Sequence, residues 1–590
     1  MARTTPPIHH DQTNHLTGKP LALAVIALNF ANAVAFMDIL GIPVLLPVIA
    51  QHLNAAQTIT WAATSQLVSA TVGQCILGYI SDLFGRKKML QTALSLLMVG
   101  TLACGLCSLT KSAPLFYACR AITGVATGSI SNLVNVAQND FCTAKQRANL
   151  QGVQGASVAL GSALGLLVSA ALAQKDGGPV ATWQFLYYIE CILAGVALLI
   201  ISLCVPSKIA TPSQQEVWKC IKTIDWAGIL LGTATIVPAL ILLTEGRTFG
   251  FKSPACIALM VIAAMSCIGF LVTGFTQPFK RYGVRPIVPF HLFSNRTICM
   301  IYVQNILLGD AYYAFIVFFP MYWQLIAGFS PLKTASLMLP YLVTHGAWST
   351  VSAKVVGMLA ARHTGAKSFS YIFFLGFTLW AAAMLIFASV PHNMNVGAVV
   401  ILEIMVGMGT GGVFQNSVNA IRTQVTAEDN AVAIGTRNVV RFFGGSMGTA
   451  ISTTIMEVVA RRELPSRLAY LAGSIFTKPD TNNLTPADKA AEHRAYSVGM
   501  RSVFLAAGIA ISICLVLTFF IQDPGPAPKT KSQPSDSGLE KDSDLFAITT
   551  PSSGLSTRKG SAVDLSSTEA SSRRDSFVDV ELAVIPAERV

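Results

Sequence analysis

Fourteen stretches of this 590-residue chain are apolar over about the thickness of a bilayer: residues 20–48, 60–80, 89–109, 113–137, 150–173, 183–205, 225–244, 254–276, 298–325, 334–360, 369–390, 396–421, 431–458 and 500–521. A helix needs about 20 such residues to cross the hydrocarbon core. In lipid each span must satisfy its own backbone hydrogen bonds, and none of the stretches alternates with period two, so helices are expected and barrel strands excluded. Only 12% of the residues are charged, about half the usual share for a soluble protein. The fold class that follows is an all-α polytopic membrane protein. The first stretch is too long for a signal peptide and holds Asp38 in its middle, so it is expected to remain in the mature protein.

Loop charges orient such a chain. With the N-terminus inside, Arg86, Lys87, Lys88, Lys145, Arg147, Lys208 and others fall in short cytoplasmic loops, against Lys111, Lys175, Arg247, Lys252 and Lys333 on the other side. The bias predicts an even number of spans with both termini cytoplasmic. A monomer in a lipid membrane is expected, with the plasma membrane first and a vacuolar or other internal membrane as the alternative. The net charge of +12 lies in inter-helix loops, so it is not a nucleic-acid footprint. The twelve cysteines lie mostly within spans without metal-ligand spacing, so no metal site is expected. Residues 1–19 and 523–590 are polar tails, the second rich in Ser and Pro and expected to be disordered. The long outward loop expected at 459–499 contains a glycosylation sequon at Asn483.

Between the second and third runs the chain reads Gly78-Tyr-Ile-Ser-Asp82-Leu-Phe-Gly85-Arg86-Lys87-Lys88. Taken alone, this is a glycine turn followed by a cationic anchor. The pattern Gly-x-x-x-Asp-x-x-Gly-Arg-Lys resembles the loop between the second and third spans of the major facilitator superfamily, where the resemblance implies a conformational latch. A weaker echo, Gly357 to Lys367, follows the tenth run without an acidic residue. If the two loops correspond, two six-helix halves (20–205 and 298–522) flank a 206–297 linker carrying two extra spans. Substrate sites of such transporters lie between the halves.

Further segments resemble the fourteen-span drug:proton antiporter-2 family of that superfamily, in the style of fungal efflux pumps. They are Met37-Asp38 to Pro47, Trp61 to Leu67, Asp225-Trp226-Ala-Gly228, Arg285-Pro286 to Arg296, and Phe319-Pro320 to Gln324. The resemblance implies that Asp38, in the first span, and Arg120, opening Arg-Ala-Ile-Thr-Gly124-Val-Ala-Thr-Gly128 in the fourth, serve proton coupling. The alternatives are a structurally satisfied aspartate and an interfacial arginine that snorkels. Gly124 and Gly128 form a small-x-x-x-small pair, and Gly155, Gly161 and Gly165 are also expected to pack helices closely. The family's Gly-Pro-x-x-Gly-Gly element is incomplete in the fifth span, where Gly161-Ser162-Ala-Leu-Gly165-Leu166 stands. Arg437 and Arg441 resemble an entry to the thirteenth span and are expected as gate or anchor charges.

Other intramembrane acids are Glu190, Asp310 and Glu403. Asp310 and Glu403 are candidate coupling or substrate residues. Gln304, Asn305, Tyr312, Tyr313, His345 and Trp348 are candidate cavity residues, mixing hydrogen-bonding groups with aromatic surface. The glycine run at 407–412 has no βαβ context, and no phosphate-binding loop occurs, so neither a dinucleotide site nor ATP hydrolysis is encoded; the chain is not expected to be an enzyme or to hold a cofactor. The reading is a secondary active transporter that exchanges protons for a small organic molecule (a drug, toxin or secondary metabolite) by alternating access. An importer or facilitator of a small solute or siderophore is the alternative, and a non-transporting nutrient sensor ranks below both.

Overall fold

The computed structural model describes residues 16–55, 58–142, 144–174, 182–206, 222, 224–278, 284, 286–288, 290–362, 368–389, 395–426, 429–468 and 485–522. Asn483, the 523–590 tail and residues 363–367 of the 357–367 echo lie outside them. The described chain is helical and contains no strand. In order, the helices are α1 (Gly18–His52), α2 (Thr60–Phe84), α3 (Arg86–Thr110), α4 (Ala113–Phe141), α5 (Ala144–Gln174), α6 (Gln184–Cys204), α7 (Trp226–Phe249), α8 (Pro254–Thr276), α9 (Arg296–Met321), α10 (Pro331–Leu337), α11 (Leu339–Arg362), α12 (Ser368–Ser389), α13 (Val396–Arg422), α14 (Asn430–Glu463) and α15 (Pro486–Thr518). All but the seven-residue α10 are long, making fourteen long helices among the described residues.

Ten of these carry a stretch apolar enough to cross a membrane. The other four, α2, α4, α11 and α14, fall short because polar residues line their inward faces: Gln66 and Gln74, Asn132 and Asn135, His345 and Ser349, Arg437 and Asn438 are all buried. Polarity inside and hydrocarbon outside is the inverse of a soluble helix, and it marks the helices that surround an interior site. Only 6% of the apolar window of α8 is buried, against 78% for α9. The extra hairpin α7–α8 is therefore peripheral, with α7 packed on both α2 and α14, and α9 is central.

Close helix approach depends on glycine. A Cβ on Gly161 would collide with the Ala33 backbone and one on Gly165 with the Met37 backbone, so α5 rides directly on α1. Gly124 and Gly128 meet the backbones of Gln66 and Ala70 in the same way, which sets the spacing of α2 and α4. Gly155 lies against Ser349 where α5 meets α11. A second contact joins α2, α4 and α14: Gln74 Nε2 donates to the Asn438 carbonyl at 3.3 Å, and Asn438 Nδ2 donates to Asn132 Oδ1 at 2.9 Å.

Two expected boundaries differ. The tenth run starts as α10 and breaks at Met338 before α11 begins. The last helix begins at Pro486, well inside the stretch expected as the 459–499 loop. Thr485 caps it by accepting from the Asp488 amide at 3.2 Å, and Pro486 occupies the first turn, where its missing N–H costs nothing.

The glycine contacts give a direct test. Gly161→Ala should cost about 1–3 kcal/mol by overpacking. Gly357→Ala, where nothing lies within 4 Å of the added carbon, should not destabilise the fold. Thermal unfolding of both variants in one detergent reads the difference; equal melting temperatures would refute the close α1–α5 contact.

Candidate functional site

Asp38 and Arg120 start on separate helices and meet in the bundle interior, at 1% and 0% exposure. Arg120 Nη1 donates to Asp38 Oδ1 at 2.5 Å. Gln66 on α2 completes a ring: its Nε2 donates to Asp38 Oδ2 at 2.5 Å, and its Oε1 accepts from Arg120 Nη2. Arg120 Nε also donates to the Ala62 carbonyl at 3.4 Å. Both carboxylate oxygens are thus satisfied, which a buried charge requires. Arg120 does not snorkel. The Tyr187 ring on α6 lies 5.9 Å from its guanidinium and belongs to an edge-to-face cluster with Phe116 and Trp183.

Glu190 is one turn beyond Tyr187 on the same face of α6. It is buried, neither carboxyl oxygen has a hydrogen-bond partner among the described residues, and the charges acting on it are Asp38 and Arg120. The site is therefore two acids and one arginine. The sequence flagged Gln66 only as part of a motif and Glu190 only as an intramembrane acid, because neither spacing nor periodicity reports which neighbouring helix a side chain meets.

Asp310 and Glu403 do not join this cluster. Asp310 is half-buried on α9 beside Gly448, and Glu403 is fully buried on α13 beside the Tyr341 backbone. Among the cavity candidates, Gln304 instead faces α15: its Nε2 donates to the Cys514 carbonyl at 2.9 Å and Thr518 Oγ1 at 3.0 Å, so it is spent on packing. Asn305 donates to its own helix at Ile301. His345 Nδ1 pairs with Thr410 Oγ1 at 2.8 Å, and the half-buried Trp348 lies against Gly412. Tyr312 and Tyr313 do face the interior, beside Phe414, Phe442 and Arg441.

Arg437 and Arg441 are not anchors at a helix entry. Arg437 is buried two turns into α14. Arg441 follows one turn deeper, half-buried, with its guanidinium 5.1 Å from the Phe414 centroid and 5.0 Å from that of Phe442. Ring contacts of this kind return about 2 kcal/mol when desolvated, less than the several kcal/mol that burying an ion costs.

At the far end of α2, Gly85 turns the chain at φ +94°. Arg86 Nε bonds Asp140 Oδ2 on α4 at 3.1 Å and its Nη1 reaches Ser81, while Lys87 Nζ donates to the Ser202 carbonyl ending α6 at 2.8 Å. Gly78 sits against Asn132, where a side chain would not fit. The side chain of Asp82 lies outside what the structure describes. The loop thereby binds α2, α3, α4 and α6 to one another.

Breaking one partner of a buried ion pair costs about 3–5 kcal/mol, because the other charge is stranded. Asp38→Ala should destabilise by that amount, and adding Arg120→Met should recover most of it. Equal destabilisation of single and double variants in thermal unfolding would mean the pair is not the unit described.

The chain and its fold have counterparts among known proteins. Residues 28–449 match the Major Facilitator Superfamily. The chain is 29% identical over 524 residues to Citrate exporter 1 of Yarrowia lipolytica, covering 88% of this chain and 74% of that one. It is 27% identical over 474 residues to the efflux pump dotC of Dothistroma septosporum (strain NZE10 / CBS 128990), covering 78% and 76%. In structure it is similar to a bacterial homolog of the human lysosomal transporter Spinster in its inward-facing, unoccupied conformation, with a TM-score of 0.55 at 14% identity over 86% of this chain and 98% of that one, a likeness of fold alone. With the fourteen-helix bundle and its buried polar interior, these matches show that the chain belongs to the Major Facilitator Superfamily and is a multi-pass membrane transporter.

Proposed function

We propose that the protein is a proton-coupled exporter of small organic molecules working by alternating access. The observation that carries this reading is the Asp38–Arg120–Gln66 ring beside Glu190. A protonated Asp38 no longer holds Arg120 by charge, so loading one proton changes the forces between α1, α2 and α4. Glu190 offers a second carboxyl within the field of the pair, giving an exchanged proton a place to go. A charge that changes partner in a water-poor interior alters helix packing by several kcal/mol, which is enough to bias two conformations.

Two similar proteins, an exporter and an efflux pump, support the outward direction. The loop charges support cytoplasmic termini, and a plasma-membrane location is the reading adopted. The loop after α2 is assigned the latch: it fixes Arg86 at Asp140 on the side where Gln74 and Asn438 also join the halves. Asp310 and Glu403 remain candidates for a second titrating site.

Uptake into inside-out vesicles with an imposed pH gradient tests the reading. The wild type should accumulate substrate only with the gradient, and Asp38→Asn should abolish accumulation while exchange down a gradient persists. Arg86→Ala should express near normally and transport several-fold more slowly. Accumulation by Asp38→Asn with unchanged pH dependence would refute the coupling role.

A further inference from the structure

The second half of the bundle contains charge without a counter-charge. Arg437 is held entirely by dipoles: its Nε and Nη2 donate to Ser417 Oγ at 3.1 and 2.8 Å, Nη2 also to the Phe414 carbonyl at 2.7 Å, and Nη1 to Asn438 Oδ1 at 2.8 Å. The charge that acts on it is Arg441, one turn away. Among the described residues Arg441 lacks even that set of partners: its Nε is buried with no hydrogen bond, and near its guanidinium lie the aromatic rings of Phe414 and Phe442, the phenols of Tyr312 and Tyr313, and His345. Among the described residues no carboxylate pairs with either arginine. Arg120, by contrast, has Asp38 and a full set of hydrogen bonds in the first half.

We propose that Arg441 binds a carboxylate of the transported molecule, so that the substrate class is organic acids carried as anions. This deepens the exporter reading and rests on it. Two guanidiniums one turn apart repel a cationic drug and gain nothing from a neutral one; an anion neutralises them. A guanidinium presents parallel N–H edges that match a carboxylate in bidentate fashion. Phe414 and Phe442 fix the plane of that fork, and Arg437, each of whose three nitrogens already donates within the protein, adds positive potential beside the ligand. Tyr312 and Tyr313 supply ring surface for the carbon skeleton and hydroxyls for its polar groups. Gly445 belongs to the same design: a Cβ there would collide with the edge of the Tyr313 ring. Arg441 lies about three turns into α14 yet is only half-buried, so part of its side chain is left uncovered by the protein.

The test is binding by the purified full chain in lipid nanodiscs, without any gradient, using citrate, malate and benzoate, each against its uncharged methyl ester. At least one carboxylate should bind roughly tenfold or more tightly than its ester. Arg441→Gln should erase that preference. Arg441→Lys, which keeps the charge and loses the fork, should retain part of it; should Arg441→Gln fail to purify as a monodisperse protein, Arg441→Lys carries the comparison and must weaken the acid several-fold while leaving the ester unchanged. No preference for any of the three acids in the wild type, or a preference that survives substitution at Arg441, overturns the proposal. Acids that bind at Arg441 but are not moved by a pH gradient would refute the exporter reading and leave this site in place. Gradient-driven transport indifferent to substrate charge would do the reverse.

Discussion

A carboxylate and a guanidinium buried in a lipid-embedded bundle have to find each other, and much of the first half of this protein is arranged so that Asp38 and Arg120 do. The pair lies between α1 and α4 with Gln66 of α2 bridging both charges. That geometry requires α2 and α4 to approach closely, which Gly124 and Gly128 permit by giving up their side chains against Gln66 and Ala70. Gly161 and Gly165 bring α5 onto the back of α1 at Ala33 and Met37, on either side of the residues leading to Asp38. Small residues here serve electrostatics: without them the hydrogen-bonded ring would not close, and each charge would carry its desolvation cost alone.

The two halves treat buried charge differently. Arg120 is paired; among the described residues Arg437 and Arg441 meet hydroxyls, carbonyls and aromatic faces and no carboxylate. On the account given, proton and substrate occupy different halves, and the contacts that join the halves, among them Gln74 with Asn438 and Gly155 with Ser349, are where the two are coupled. Those contacts are neutral hydrogen bonds and small-residue packing. Each contributes on the order of 1 kcal/mol, so they can open and reform during a cycle, whereas the ionic ring within one half is too costly to break without a proton. The extra hairpin α7–α8 lies outside this machinery, with α7 against both α2 and α14 and α8 mostly exposed.

The fourteen helices were legible because hydropathy and length report directly on membrane crossing, and the loop at Gly85 because a positive φ there needs glycine. Asp38 and Arg120 were legible as isolated polar residues in apolar runs. Which residues they meet was not: Gln66 is an ordinary polar residue until α2 is placed beside α4, and Glu190 until α6 is turned toward Asp38. Of the two roles expected for Arg437 and Arg441, gate or anchor, the anchor does not fit a helix that begins at Asn430 and carries them two and three turns inward. Gln304 looked like cavity lining because periodicity gives a face without saying which neighbour covers it, and α15 covers this one. The early start of α15 was hidden because Asp488, Lys489, Glu492, His493 and Arg494 make its first turns too polar to register in an apolar run.

The proposed coupling requires Asp38 to take up and give back a proton where it meets Arg120. Infrared difference spectroscopy of the full chain in lipid, between mildly acidic and mildly alkaline buffer, observes carboxyl groups directly. The account predicts a protonated-carboxyl stretching band in the wild type that disappears in Asp38→Asn. Identical difference spectra for the two proteins would contradict it.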